Sequence, residues 1–228
     1  QVKGVWPGQK ETIFGLAVDV GSTTLSAQLC NLKTGKVIAS AGTMNPQIRF
    51  GEDLMSRVSY LMMNPDDMTD MTREVRTAIN YLAAQTTNEV GSDPSNIVDV
   101  ALVGNPIMHH ILLGIDPTEL GWAPSALATD MALNITAEEL DLYFNPSATA
   151  YILPCIAGHV GADTAAVILA HNPLSTKEMT LIIDIGTNAE IVLGNCDRVL
   201  ACSCPTGPAF EGAQISCGQR AAPGAIER

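Results

Sequence analysis

The sequence predicts an α/β fold built as two similar halves. The first observation is a repeated pattern, Leu16-Ala17-Val18-Asp19-Val20-Gly21-Ser22-Thr23-Thr24 and Leu181-Ile182-Ile183-Asp184-Ile185-Gly186-Thr187-Asn188. Each copy is an apolar run ending in a carboxylate, one apolar residue, a glycine and small hydroxyl or amide residues. The second is that each copy opens a set of three short strand-like segments, with helix-period and strand-period segments alternating between the sets. The third is bulk composition: 46% apolar and 16% charged residues describe a chain that buries a core rather than a disordered one.

In chain order, residues 1–12 show no periodicity and read as a linker or arm. Ile13 to Val20 is continuous enough in apolar content for a strand buried on both faces. Thr24 to Leu32 and Val37 to Gly42 complete an antiparallel meander, joined by a turn at Asn31–Lys36. Gly51-Glu52-Asp53 opens a helix with Leu54, Val58, Leu61 and Met62 on one face. A longer helix covers Met71 to Val90, with Val75, Ala78, Ile79 and Leu82 inward. Ile97 to Val103 is a fourth strand and Ile107 to Leu113 the next helix.

Residues 114–150 contain Pro117, Pro124 and Pro146 and one short helical piece near Ala137 to Tyr143; they read as an excursion from the core. Tyr151 to Pro154 returns as a strand, and Gly158 to Ala170 forms a helix of small residues. Met179–Ile185, Ala189–Gly194 and Val199–Ser203 give the second meander, and a last helix opens at Gly207. The expected organisation is an arm (1–12), a first lobe (13–172) and the start of a second (173–228). The second lobe lacks the helix-strand return that completes the first, so the chain reads as a fragment.

The repeated pattern has a chemical reading. A strand that delivers Asp to its end, followed by a glycine turn, exposes backbone N–H groups in a concavity that suits phosphate oxygens. Asp19, Gly21, Ser22 and Thr23 form one such turn; Asp184, Gly186, Thr187 and Asn188 form the other. The two carboxylates stand where a hydrated Mg²⁺ bridging phosphates belongs, since Mg²⁺ keeps its waters and takes one or two carboxylates. Glu190 shares a strand face with Asn188 and either reaches the metal shell or is solvated. Two such turns facing each other would grip a phosphate tail from both sides.

Other features narrow the classes. The net charge is −12 and no Lys/Arg cluster occurs, which excludes a nucleic-acid footprint and leaves backbone amides and a metal to hold phosphate. No apolar run approaches the roughly 18 residues of a membrane span and the amino terminus has no signal-peptide shape, so a cytoplasmic protein is expected. The six cysteines, Cys30, Cys155, Cys196, Cys202, Cys204 and Cys217, include no C-x-x-C or cluster-binding run and are expected to be buried thiols. His109 and His110, adjacent on a helix, point apart and cannot share one ion. The methionines from Met55 to Met71 read as core or as an interface face. No G-x-x-x-x-G-K-[ST] motif occurs, which excludes a P-loop.

Together the turns resemble the phosphate motifs of the actin, heat-shock chaperone and sugar-kinase (ASKHA) ATPase superfamily, as Asp19-Val-Gly-Ser-Thr and Asp184-Ile-Gly-Thr-Asn-Ala-Glu190. About twenty residues before the second, Gly161-Ala-Asp163-Thr-Ala-Ala166 resembles its connecting helix, which carries a catalytic carboxylate. The resemblance implies a ribonuclease-H-like lobe, ATP with Mg²⁺, and a water-orienting role for Asp163, a residue that also suits a helix cap.

Three further stretches are similar to one group, the ATP-dependent reductive activators of corrinoid proteins: Asn45-Pro-Gln47 with Gly51-x-Asp53; Gly104-Asn105-x-x-Met108-x-His110; and Gly207-Pro-Ala-Phe-Glu-Gly-Ala213 followed by Gly218-x-Arg220-Ala-x-x-Gly224-Ala-Ile226. The resemblance implies ATP-assisted reduction of Co(II) corrinoid to Co(I), a corrinoid protein of a methyltransferase system as partner, and nucleotide contacts near Gly207, Glu211 and Gly212. A homodimer is compatible with it. The iron-sulfur cluster of this group belongs to a ferredoxin-like domain that this sequence lacks, as it lacks the later adenosine-binding segment, so the piece alone is expected to be inactive. The competing readings are a small-molecule kinase of the same superfamily and a non-catalytic, nucleotide-switched interaction module.

Overall fold

A computed structural model of the chain describes residues 12–186 and 188–205. It divides into two compact units, 1–169 and 170–228.

In the first unit, β1 (Phe14–Val20), β2 (Thr24–Asn31) and β3 (Lys36–Met44) form the antiparallel meander. In β2, Leu25, Ala27 and Leu29 are buried and Thr24, Ser26 and Gln28 exposed, so a period-2 sequence gives one core face and one open face. β1 departs from the expected two-sided burial. Leu16, Val18 and Val20 face the core, while Ala17 and Asp19 are exposed because the opposite side is uncovered there.

The core face is closed by α1 (Leu54–Met63) and above all α2 (Met68–Glu89), whose Met71, Val75, Ile79 and Leu82 recur every three or four residues and are fully buried. In α1 the inward stripe is Leu54, Arg57, Val58 and Leu61. Met62, expected inward, is 47% exposed. It falls about 80° around the helix from Leu54, at the rim of the stripe.

β4 (Ile97–Gly104) runs parallel to β1, with Val20 beside Gly104 at the shared end. α3 (Pro106–Leu113) follows it. β6 (Thr149–Ile152) pairs parallel to β4, and β5 (Leu133–Thr136) pairs antiparallel to β6. The sheet order is β3-β2-β1-β4-β6-β5.

The stretch expected as an excursion therefore supplies an edge strand, and Leu120, Ala137, Leu140, Leu142, Phe144 and Ala148 are buried in the core. Its elements are too short to show a period: four residues of strand and a 3₁₀ turn, Glu138–Leu140, where a helical piece was expected. α4 (Ala162–His171) starts four residues later than expected, because Ala157 and Val160 first form a bridge.

In the second unit, β7 (Thr180–Ile185), β8 (Asn188–Gly194) and β9 (Val199–Pro205) form an antiparallel sheet in that order. Leu181, Ile183 and Ile185 are 51–76% exposed, so β7 is not the buried strand its sequence suggests. Among the described residues this unit has no second layer to cover that face. The cysteine expectation also fails. Cys155 is buried and Cys30 half-buried, but Cys196, Cys202 and Cys204 are exposed, the last two on β9; Cys217 lies outside the described residues.

Candidate functional site

The end of the first unit's sheet at which β1 and β4 finish gathers five of the predicted residues, Asp19, Gly21, Ser22, Thr23 and Asp163. Asp19 is exposed there, one residue before the strand's end, paired across to Ser26 on β2 and Val103 on β4. The turn that follows is tight. A Cβ on Gly21 would lie 2.4 Å from the Thr24 carbonyl oxygen, and one on Gly104 would lie 2.8 Å from that of Val20. Real Cβ atoms do not approach backbone so closely, so both positions require glycine.

The turn's carbonyls all point into the protein. Asn45 Nδ2 donates to Gly21 O at 2.8 Å and Asn45 N to Thr23 O at 2.8 Å, while Arg57 Nη2 donates to Ser22 O. A planar trans peptide puts each N–H opposite the preceding C=O. With the carbonyls of Gly21 and Ser22 turned inward, the amides of Ser22 and Thr23 therefore face outward. Among the described residues neither has an acceptor.

Asn45 is itself buried, and its Oδ1 accepts from Gln47 N at 2.9 Å. Gln47 donates to Met71 O at 2.8 Å and accepts from Arg57 Nη1 at 3.4 Å. Arg57 also donates to Gly51 O at 3.1 Å and meets Met108 Sδ at 3.2 Å. Burial lowers the guanidinium's pKa to about 10, with Asp53 opposing the shift, so the group stays charged at neutral pH. Asp53 caps α1 by accepting from Ser56 N at 2.7 Å. Asn45, Gln47 and Gly51, which the sequence marks only by family resemblance, thus brace the turn. Arg57 is a functional candidate that the sequence reading lacks, and its one sequence signal is a cation at the centre of an apolar helical stripe.

Asp163 is brought to the same end of the sheet. A Cβ on Gly161 would lie 2.6 Å from Asn105 Cα and from Gly104 O, so α4 begins packed on the Gly104–Asn105 corner. Asp163 lies in the helix's first turn, half-buried, with Oδ1 accepting from Thr164 N at 2.7 Å. A carboxylate there is favoured by the helix dipole. Asn105 caps α3 through Met108 N at 3.0 Å, and His110 bridges Pro106 O (2.8 Å) and Ala128 N (3.0 Å). These bonds set His110 as neutral, with Nδ1 the donor. His109 is buried with neither ring nitrogen partnered among the described residues, and burial first, His110 second, lower its pKa to about 4.

In the second unit, Asp184 is exposed and paired directly across from Glu190. Glu190 accepts from Ser203 Oγ at 3.0 Å, and Gly186 N donates to Asn188 O at 2.8 Å to close the turn. Two carboxylates opposite each other on antiparallel strands repel unless a cation or proton intervenes. Thr187, Gly207, Glu211 and Gly212 lie outside the described residues. Among the described residues no three His, Cys, Asp or Glu side chains converge as a metal cluster, and no helix is long and apolar enough to cross a membrane. A cavity of about 460 Å³ opens elsewhere, along α2, bounded by Thr72, Arg76 and Asn80 with Asp141 and Tyr143; it shares no residue with the turn.

A meander feeding parallel strands, glycine turns after Asp, and a connecting helix packed on the strand ends define an ASKHA-type α/β lobe. Two family profiles match: "RACo middle region" over residues 14–174 and "C-terminal domain of RACo the ASKHA domain" over 178–228. The chain belongs to this RACo family.

It is 33% identical over 220 residues to the corrinoid activation enzyme RamQ of Eubacterium limosum, covering 96% of this chain and 37% of that protein. It is 27% identical over 225 residues to the [Co(II) methylated amine-specific corrinoid protein] reductase of Methanosarcina barkeri, covering 94% and 40%. A solved structure of a reductive activator for corrinoid, iron-sulfur protein superposes with a TM-score of 0.88 at 40% identity, covering 97% of this chain and 35% of that one. The chain spans between a third and two fifths of these relatives.

Proposed function

We propose that this chain is the ATP-binding part of a reductive activator that uses ATP to assist low-potential electron transfer, returning Co(II) corrinoid proteins to Co(I). The observation that carries the reading is the turn after Asp19, where two buried side chains and the Asn45 backbone amide hold three successive carbonyls inward and two amides face out. That donor set fits phosphate oxygens in a chain with few cations. ATP would supply free energy through phosphoryl transfer, which asks the protein for positioning and charge neutralisation.

In this reading Ser22 and Thr23 bind phosphate through their amides. Asp19 and Asp184 are assigned to Mg²⁺ through its waters, Asp163 to the attacking water, and Gly186, Thr187 and Asn188 to the second phosphate turn, with Glu190 on the strand that follows it. Gly207, Glu211 and Gly212 belong to the nucleotide's other side. The partner is a corrinoid protein of a methyltransferase system, the iron-sulfur cluster sits in a ferredoxin-like domain outside this chain, and the setting is the cytoplasm. The names of the relatives, a corrinoid activation enzyme and a corrinoid-protein reductase, favour this over a kinase.

The test is a titration of the full-length protein with ATP and Mg²⁺, wild type against Asp19→Ala and Asp184→Ala. Each substitution is expected to weaken binding about tenfold or more, as loss of a charge-assisted contact does. Equal affinity in all three would sink the nucleotide assignment. Phosphate release stimulated by a Co(II) corrinoid protein, and not by sugars or acids, separates an activator from a kinase.

A further inference from the structure

The other arginines of the first unit are ion-paired with carboxylates near the surface: Arg49 with Glu74, Arg73 with Asp70 and Arg76 with Asp141, all at 2.6–2.7 Å. Arg57 is different. Its side chain is fully buried, and among the described residues no carboxylate lies within ion-pair distance of it. Its contacts are three oxygens, on Ser22, Gly51 and Gln47, and the Met108 sulfur. The acid whose charge acts on it, Asp53, is engaged at the cap of α1. A buried cation without a counterion is disfavoured, and a neutral side chain of similar length would fill the same space at less cost.

The placement suggests what offsets that cost. One of the three oxygens is the carbonyl of Ser22, the middle residue of the glycine turn, and the amide on the far side of that peptide belongs to Thr23. Polarisation of a peptide from its carbonyl side strengthens its N–H as a donor. The charge also lies behind a thin wall of backbone, where screening by solvent is weak. Asn45 and Gln47 complete the same network by holding Gly21 and Thr23 in place and accepting from Arg57.

We propose that Arg57 is a positioning residue for the nucleotide's phosphates: its guanidinium turns the Ser22 carbonyl inward, and its missing counterion is the phosphate chain on the other side of the turn. The inference rests on the nucleotide reading above and deepens it. It explains how a chain of net charge −12 without a basic cluster holds an anion at this place. It also gives a shared task to Asn45, Gln47 and Gly51, in which Gly51 is required because a Cβ there would lie 2.7 Å from Arg57 N.

The test uses the full-length protein and two readouts, the Kd for ATP with Mg²⁺ and the thermal midpoint with and without ATP. Arg57→Met keeps the packing and removes the charge. The expected result is an ATP Kd raised about tenfold or more and an ATP-induced midpoint shift that largely disappears, beside a lowered ligand-free midpoint from the acceptors left without their donor. A merely structural arginine lowers the ligand-free midpoint and leaves both the ATP Kd and the ATP-induced shift intact, and that result overturns the inference.

If Arg57→Met does not fold, Arg57→Lys serves. It keeps the charge but cannot span the same acceptors, so a Kd raised about threefold to tenfold is expected, and an unchanged Kd overturns the proposal. Should wild type itself fail to bind ATP, the nucleotide reading falls and takes this inference with it. If wild type binds and Arg57→Met binds equally, the reading stands and only the role of Arg57 falls.

Discussion

The two Asp-Gly turns share a sequence signature and differ in what stands behind them. The first, after Asp19, rests on a layer of later chain: Asn45, Gln47, Arg57 and Met108 converge beneath it, and the adjoining strands face a core closed by α2. The second, after Asp184, is closed by a local bond from Gly186 N to Asn188 O and sits on a three-stranded sheet whose Leu181, Ile183 and Ile185 are exposed. A short pattern can thus announce a phosphate turn without revealing how it is made rigid. Rigidity in the first unit comes from contacts 24 to 63 residues apart in sequence.

Core substitutions should open the widest gap between the two regions. Leu82→Ala empties a fully buried site on α2 and is expected to cost about 3 kcal/mol or more. Ile183→Ala, at a side chain 51% exposed, should cost less than about 1.5 kcal/mol. Urea unfolding of the two variants measures both, and equal losses would mean that β7 is covered in the working protein.

The glycines come next. Gly21→Ala forces a Cβ to 2.4 Å from a backbone oxygen, whereas at Gly186 the nearest atom lies at 3.5 Å, an ordinary contact. The first should destabilise by about 1–3 kcal/mol through backbone displacement and the second by less than about 1 kcal/mol. A thermal melt of each variant decides, and comparable effects would show that the second turn is as tightly held as the first.

The smallest effect concerns pH. His109 belongs to the braced unit and is buried, while His171 of the other unit is exposed. The folded pKa of His109, about 4, lies below its ordinary value of 6.5, so the unfolded chain binds more protons between those values. Stability is therefore full above pH 6.5 and is lost as pH falls toward 4, by about 1–3 kcal/mol. His109→Phe, which removes two unpartnered buried nitrogens, should flatten the difference between unfolding midpoints at pH 7.5 and 4.5 and leave stability at pH 7.5 unchanged or higher. An unchanged pH profile would assign the loss to other groups.

Much of the outline was legible in the chain itself. β2 could be read because its apolar residues alternate, and α2 because Val75, Ala78, Ile79 and Leu82 repeat at helical spacing. Both signals come from a single element's own period. Residues 114–150 were misread for the converse reason: a four-residue edge strand and a 3₁₀ turn carry too little period to be recognised, though Leu120, Leu140 and Phe144 are core. Met62 was placed inward by treating the stripe as wider than it is. Arg57, the residue that belonged there, was passed over because a cation in an apolar stripe is ordinarily solvated.

For the turn after Asp19, local sequence determined the residue types: a carboxylate at the strand's end, a glycine where backbone meets backbone, and small residues whose amides can serve an anion. Steric limits on φ, ψ and Cβ act between near neighbours, so they are written locally. Which way those amides face was decided only by tertiary structure. Peptide orientation depends on what bonds the carbonyls, and the donors that turn Gly21, Ser22 and Thr23 inward come from Asn45 and from Arg57 on α1.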